Sequence, residues 1–201
     1  MPRPLSDLQI ADFREKLADA AAGLVESLGH TDFTIRQLAD ALNVSAMTPY
    51  RYFKDKDDII AALRARAFNR FAEVLEKAYA APGSVTEKAG AAGAAYIRFA
   101  LEDPTSYKLM FELNQPDSEY PELKAAADRA RGTLTRHVGP LIEAGFARGN
   151  PEVIAHVYWA TLHGILMLQL SGKIDPACCD MDTILEAAFG ALAIGFAPKP
   201  A

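Results

Sequence analysis

The sequence predicts an all-α protein: a small N-terminal set of three helices followed by a larger helical body. Three observations carry that expectation. Alanine, leucine and glutamate abound, and no run of alternating β-branched residues appears, which favours helices over strands. Apolar residues recur at three-and-four spacing, the mark of helices with one buried face. The periodic stretches are separated by stop signals: Gly29, Asn43, Ala81-Pro82-Gly83, Asp103-Pro104, Asn150-Pro151 and Asp175-Pro176. At 201 residues, half of them hydrophobic, the chain can be one domain or a small domain joined to a larger one.

The first helix runs from about Leu8 to Leu28, with Leu17, Ala20, Ala21, Leu24, Val25 and Leu28 on one face, and Gly29 ends it. Thr34 is placed to cap a second helix carrying Ile35, Leu38, Ala39 and Leu42. Asn43 tolerates the left-handed backbone of a sharp turn, and Val44 fills the angle behind it. Ser45 then caps a third helix through about Phe53. Alternatively Thr48 is the cap, and Pro49 the first helical residue. Two short helices on so tight a turn are either a helix-turn-helix, whose second helix can enter a DNA major groove, or a compact helical hairpin with the same caps.

The chemistry of the third helix bears on that choice. The chain has a formal net charge of −5, so any DNA contact must come from a local basic edge. From Thr34 to Lys56 the cations Arg36, Arg51, Lys54 and Lys56 face the acids Asp40 and Asp55, leaving this segment positive. Met47 and Thr48 occupy the first turn, where a recognition helix reaches base edges. Tyrosine hydroxyls and lysines at a groove rim contact phosphates, which position without specifying sequence.

Thr34, Leu38-Ala39, Val44-Ser45, Tyr50, Tyr52-Phe53 and Lys56 follow one another in an order that resembles the DNA-binding region of TetR-type (tetracycline-repressor-like) transcription regulators. The resemblance covers about the first 60 residues. It implies a three-helix DNA-binding domain in residues 1–55 and a helical effector-binding and dimerisation domain in residues 56–201. It also implies phosphate contacts from Thr34, Ser45, Tyr50, Tyr52 and Lys56. Met47, Thr48 and Arg51 would face bases or the groove edge, and Arg36 completes the basic set. Phe53, Leu38 and Val44 are expected in the core. Met47 stands where such proteins commonly carry glycine, and Pro49 where they carry leucine. Met47 should therefore alter the base contacts, and the operator sequence cannot be borrowed from relatives.

Beyond the reader, Asp55 or Asp57 opens a long helix to about Tyr79, with Ile59, Ile60, Leu63, Phe68, Phe71, Val74 and Leu75 as its buried set. Ser84 and Glu87 form a capping box for a helix to about Glu102. A shorter helix holds Tyr107, Met110, Phe111 and Leu113, and a loop spans Asn114 to Pro121. The helix from Pro121 to about Ala147 should kink or break at Gly139-Pro140. Asn150-Pro151-Glu152 starts the next helix with a cap, a first-turn proline and an acid at the positive dipole end. The last helix runs roughly from Met181 to Phe196, and the tail after it is expected to fray.

Val153 to Gly172 contains no Lys, Arg, Asp or Glu and is long enough to cross a bilayer. His156, His163 and Gln169 interrupt it and the flanks lack a basic cluster, so burial between helices is the better reading. Under the resemblance, this helix and the small-residue last helix, AAFGALAIGF, form the interface of a homodimer reading a palindromic operator. Half-sites of such an operator lie about 34 Å or a multiple of that apart. Trp159, His163 and Gly164 resemble the Trp-His-Gly signature of one subset of TetR-type C-terminal domains. An effector cavity would be apolar with a few orienting polar groups. Its candidate lining is Tyr96, Phe99, Tyr107, Met110, Phe111, His137, Trp159, His163 and Met167, which points to a small apolar or aromatic effector.

No glycine-rich phosphate loop, nucleophile elbow or metal-spaced histidine pair is present, so neither an enzyme nor a cofactor or metal is expected. The rival reading is an all-helical interaction protein that does not bind DNA. Asp7, Asp12 and Glu15 stand where a secretory signal would be apolar, so no targeting segment is expected. The adjacent Cys178 and Cys179 read as reduced thiols in a cytoplasmic loop, since neighbouring cysteines bridge each other only with strain.

Overall fold

The computed structural model describes residues 7–29, 31–111 and 115–198, and among them there is no strand. Leu113 and the tail beyond Pro198 lie outside the described residues. The elements in order are α1 (Asp7–Leu28), α2 (Ile35–Ala41), a 3-10 turn (Pro49–Arg51), α3 (Lys56–Ala80), α4 (Val85–Glu102) and α5 (Pro104–Phe111). A second 3-10 turn (Asp117–Glu119), α6 (Pro121–Thr135), α7 (Val138–Glu143), α8 (Pro151–Leu170) and α9 (Met181–Phe196) complete it. The chain divides into two compact units. The first comprises residues up to Phe68 with Thr105–Ala127, the second Asn69–Pro104 with Asp128–Ala201. By their residue ranges, α3 and α6 each give their first part to one unit and the rest to the other.

Caps set most boundaries. The Thr34 hydroxyl accepts the Gln37 N–H at 3.2 Å while Gln37 Oε1 accepts the Thr34 N–H at 2.7 Å, a reciprocal box. Ser84 and Glu87 repeat it at the start of α4. The Asp55 carboxylate accepts the Asp58 N–H at 2.9 Å and so starts α3. Asn150 and Asp180 cap α8 and α9 in the same way. Asn43 takes the left-handed conformation at φ 52°, which turns the chain sharply after α2.

Three details differ from the expectations. The segment after Asn43 is not an α-helix from Ser45 to Phe53: Ser45–Thr48 is a turn, and only Pro49–Arg51 is helical, with 3-10 geometry. The cause is Pro49, which has no N–H to give the Ser45 carbonyl; Thr48 N–H takes that acceptor instead, at 2.8 Å. Of the two starts weighed, the one with Pro49 as first helical residue holds. Second, the long helix from Pro121 breaks at Arg136-His137, ahead of Gly139-Pro140. Pro140 then falls in the first turn of α7, where its missing N–H leaves no helical carbonyl without a donor. Third, Val74 and Leu28 are exposed and Val44 is only half-buried.

In the first unit Leu17, Val25, Leu38, Phe53, Ile59 and Leu63 build one core, joined by Leu109 of α5. Arg64 of α3 is buried beside it. Its guanidinium donates to the Leu109 and Met110 carbonyls at 3.1 and 3.3 Å and to the Gln115 carbonyl at 2.8 Å. Two of those carbonyls belong to the last described turn of α5. Burial lowers the Arg64 pKa, with the charge of Asp117 opposing.

In the second unit α4 and α7 both pack on α8, and α9 lies along α8. Phe71 meets the edges of Tyr96 and Phe99 at 5.0 and 5.3 Å. Of the described helices, α8 alone is long and apolar enough to cross a membrane, and 28% of that apolar stretch is buried. α9, although mostly apolar, has no buried residue. Cys178 and Cys179 are free thiols.

Candidate functional site

The reader turn is pinned from behind. Pro49 and Phe53 are buried. The Arg14 guanidinium of α1 donates to the Tyr52 carbonyl at 2.8 Å and lies 4.4 Å from the centre of the Phe53 ring. Phe13 stacks obliquely on Tyr52 at 4.5 Å. The short turn therefore owes its position to side chains of α1 and the core, since three residues of 3-10 helix have little stability of their own.

Its outer face is open. Met47 is 68% and Tyr50 50% exposed, and Thr34, Arg36, Ser45 and Arg51 are exposed with them. Thr48, Tyr52 and Lys56 are half-buried. Among the described residues Arg36, Arg51 and Lys54 make no ion pair, and neither do Arg98, Lys108, Arg136, Arg148 and Lys173 elsewhere, whereas Lys16, Arg66, Arg70, Lys77, Arg129 and Arg131 each hold a carboxylate. Lys56 Nζ instead sits 5.1 Å from the centre of the Phe33 ring. Cations left without carboxylate partners keep their field for an outside anion. The two hydroxyl caps differ. Thr34 Oγ1 is 2.9 Å from Gln37 Oε1 and spends its proton there, while Ser45 Oγ only accepts, from the Met47 N–H at 3.3 Å. Ser45 thus retains a proton to give.

The second unit holds a cavity of about 650 Å³, partly open to solvent, between α4, the α6–α7 junction, α8 and α9. Among the described residues no Asp, Glu, Lys or Arg lines it. Tyr96, His137 and Trp159 of the expected set line this cavity, and Trp159 Nε1 donates to the Tyr96 hydroxyl at 3.1 Å. Phe99 packs instead on Phe71, under the guanidinium of Arg70. His163 and Met167 lie farther along α8, outside the lining. Tyr107, Met110 and Phe111 belong to the first unit.

Small residues make the space, and none of them was among the expected lining. Ala89, Gly90, Gly93 and Ala94 form the α4 wall, and a Cβ at either glycine would meet nothing within 4 Å. The run AGAAGAA at 89–95 was the available signal. Phe146, Tyr158 and Phe189 supply further aromatic wall. His137 Nδ1 is sealed from solvent without a hydrogen-bond partner of ordinary geometry. Burial lowers the His137 pKa, and the Thr133 backbone offsets this only in part. Burial raises that of Tyr158. Both side chains are therefore neutral near pH 7.

Comparison with known proteins agrees with this division of labour. Residues 17–63 match the family described as bacterial regulatory proteins, tetR family, and residues 89–192 match the tetracyclin repressor-like C-terminal domain. An uncharacterised HTH-type transcriptional regulator of Mycobacterium tuberculosis is 24% identical over 180 residues, covering 88% of this chain and 80% of its own. A solved structure of a protein of unknown function from Rhodococcus sp. RHA1 superposes with a TM-score of 0.80 at 27% identity, covering 98% of this chain and 100% of its own. The fatty acid degradation regulator of Bacillus halodurans has the same fold, with a TM-score of 0.70 at 18% identity over 90% of this chain and 95% of its own. A reader turn with free cations, a helical second unit and two family matches that together span most of the chain lead to one conclusion: this chain belongs to the TetR family of helix-turn-helix transcriptional regulators, DNA-binding proteins and not enzymes.

Proposed function

We propose that the protein is a homodimeric repressor in the cytoplasm, released from a palindromic operator by a small apolar effector. The observation that carries this reading is the charge-free cavity in a chain whose other unit carries the DNA reader. An apolar pocket with a few polar groups is the usual form of a small-molecule site. Effector binding there favours a dimer geometry whose two readers no longer match successive grooves, a coupling of roughly 1–3 kcal/mol.

The dimer is assigned to the outer faces of α8 and α9. On α8 the residues Val153, His156, Ala160 and Leu168 are exposed at helical spacing, and on α9 Ala187, Ala191 and Ile194 are. Apolar faces of small residues let two copies of a helix pair approach closely, and burying them removes apolar surface from water. The string Trp159 to Gly164 supports membership of the Trp-His-Gly subset.

On the DNA side, Thr34, Ser45, Tyr50, Tyr52 and Lys56 meet phosphates, while Met47, Thr48 and Arg51 face bases or the groove edge, with Arg36 at the rim. Residues 1–55 act as the reading head and 56–201 as the effector and dimer part. Titration of retarded genomic fragments with wild type and Tyr50→Phe tests the assignment: the variant should bind all fragments more weakly by a similar factor. Unchanged affinity would remove the phosphate role. Met47→Gly should change the ranking of the fragments, and an unaltered ranking means Met47 does not read bases.

A further inference from the structure

The cavity walls have a chemistry narrower than apolar. A charged ligand group buried there would find no opposite charge among the described residues, since no Asp, Glu, Lys or Arg of theirs lines the space. An unpaired charge moved out of water carries a penalty that no hydrogen bond to a neutral wall repays. The polar side chains on the wall are few, and most are occupied. Thr86 Oγ1 lies 3.1 Å from Ser84 Oγ. Trp159 Nε1 is spent on the Tyr96 hydroxyl.

Two remain. The Tyr158 ring is wedged between Phe189 and Phe196, at 5.3 and 6.1 Å. His137 stands at the α6–α7 break, its ring 6.4 Å from that of Tyr79, and keeps a sealed nitrogen without a partner of ordinary geometry. Nδ1 is turned to the Thr133 backbone and away from accessible space, so Nε2 is the ring nitrogen left to exchange a hydrogen bond with a ligand group in the cavity.

Taking this cavity as the effector site, we propose that the effector is an uncharged, largely apolar molecule with one polar group held by the His137 imidazole, and that the same skeleton bearing an acid group is rejected. The downward push of burial on the His137 pKa agrees, since a neutral imidazole offers a hydrogen bond but no counter-charge.

A matched pair of probes tests this on the full chain at pH 7.5. N-phenyl-1-naphthylamine is uncharged with one N–H; 1-anilinonaphthalene-8-sulfonate is the same skeleton with a sulfonate. Trp159, the only tryptophan, lines the cavity, so quenching of its emission by energy transfer reports binding near it, and loss of that quenching in Gly93→Leu, which fills the cavity from its α4 wall, places the probe inside. The uncharged probe should bind at least tenfold more tightly than the sulfonate. His137→Leu should weaken it at least fivefold and His137→Gln should retain most of the affinity, with folding verified by circular dichroism. Equal affinity for the sulfonate, with Trp159 quenched, overturns the charge claim while leaving the effector site in place. An unchanged affinity in folded His137→Leu and His137→Gln overturns the role of the imidazole. Quenching by neither probe overturns the effector-site reading itself, and this proposal with it.

Discussion

Arg64 and His137 illustrate two opposite treatments of a buried titratable side chain. Arg64 keeps its charge because three backbone carbonyls and the Gln115 side chain surround its guanidinium. Arg64→Met would fill much of the same volume but leave the Leu109, Met110 and Gln115 carbonyls without that donor. We expect a loss of about 3 kcal/mol in urea unfolding at neutral pH. A loss below about 0.5 kcal/mol, the scale of an ordinary surface substitution, would show that water replaces the guanidinium. His137 instead gives up its charge. Its folded-state pKa lies below the usual value near 6.5, so above that value folded and unfolded chains are both neutral at this ring. As pH falls from about 6.5 toward the folded pKa, the unfolded chain binds the proton first and stability is lost. Wild type should therefore lose more stability between pH 7.5 and 5.5 than His137→Leu, measured by urea unfolding. Equal losses would mean the ring protonates freely in the folded protein. Neither behaviour is visible in the sequence, where Arg64 reads as one more polar residue on a helix and His137 as one member of an aromatic set.

At the scale of elements, boundaries were legible where a side chain closes a local bond. Thr34, Ser84 and Asn150 cap within three residues, and α9 runs from Met181 to Phe196 as expected, started by an Asp180 cap that was not among those expected. The reader was legible in its residues but not in its helix type, because the α and 3-10 forms share caps and differ only in which carbonyl each N–H finds. Pro49 decides that by withholding one N–H. Pro49→Ala restores it, and the Ser45 carbonyl can then be shared in α-helical fashion. We expect backbone carbon shifts at 46–52 to move toward helical values and fragment affinity to change with them. Unmoved shifts would mean that packing of the turn, with Phe53 and Arg14 behind it, fixes the 3-10 form. Cavity residues were the least legible. Tyr96 and Phe99 are three apart on α4, similar in size and both packed on Phe71, yet only Tyr96 also lines the cavity. Helical spacing places both on a buried face and is silent on whether that face meets a neighbour or a space.

At the scale of the molecule, the exposed apolar faces of α8 and α9 are the feature the isolated chain leaves unsatisfied. Ala160→Glu puts a charge on the exposed α8 stripe without touching the cavity lining. Under the dimer assignment it should shift the protein toward monomer in analytical ultracentrifugation, leave the circular dichroism unchanged, and lower DNA affinity at least tenfold, because one thinly basic reader must then bind alone. An intact dimer would place the interface elsewhere. The central claim joins reader, dimer and cavity in one equilibrium, and a mobility shift on retarded genomic fragments tests it most directly. It is run at two salt concentrations, with and without the uncharged naphthylamine probe. The account expects a complex of dimer size at low salt, weakened at higher salt and released by the probe; no retarded complex at low salt would contradict it.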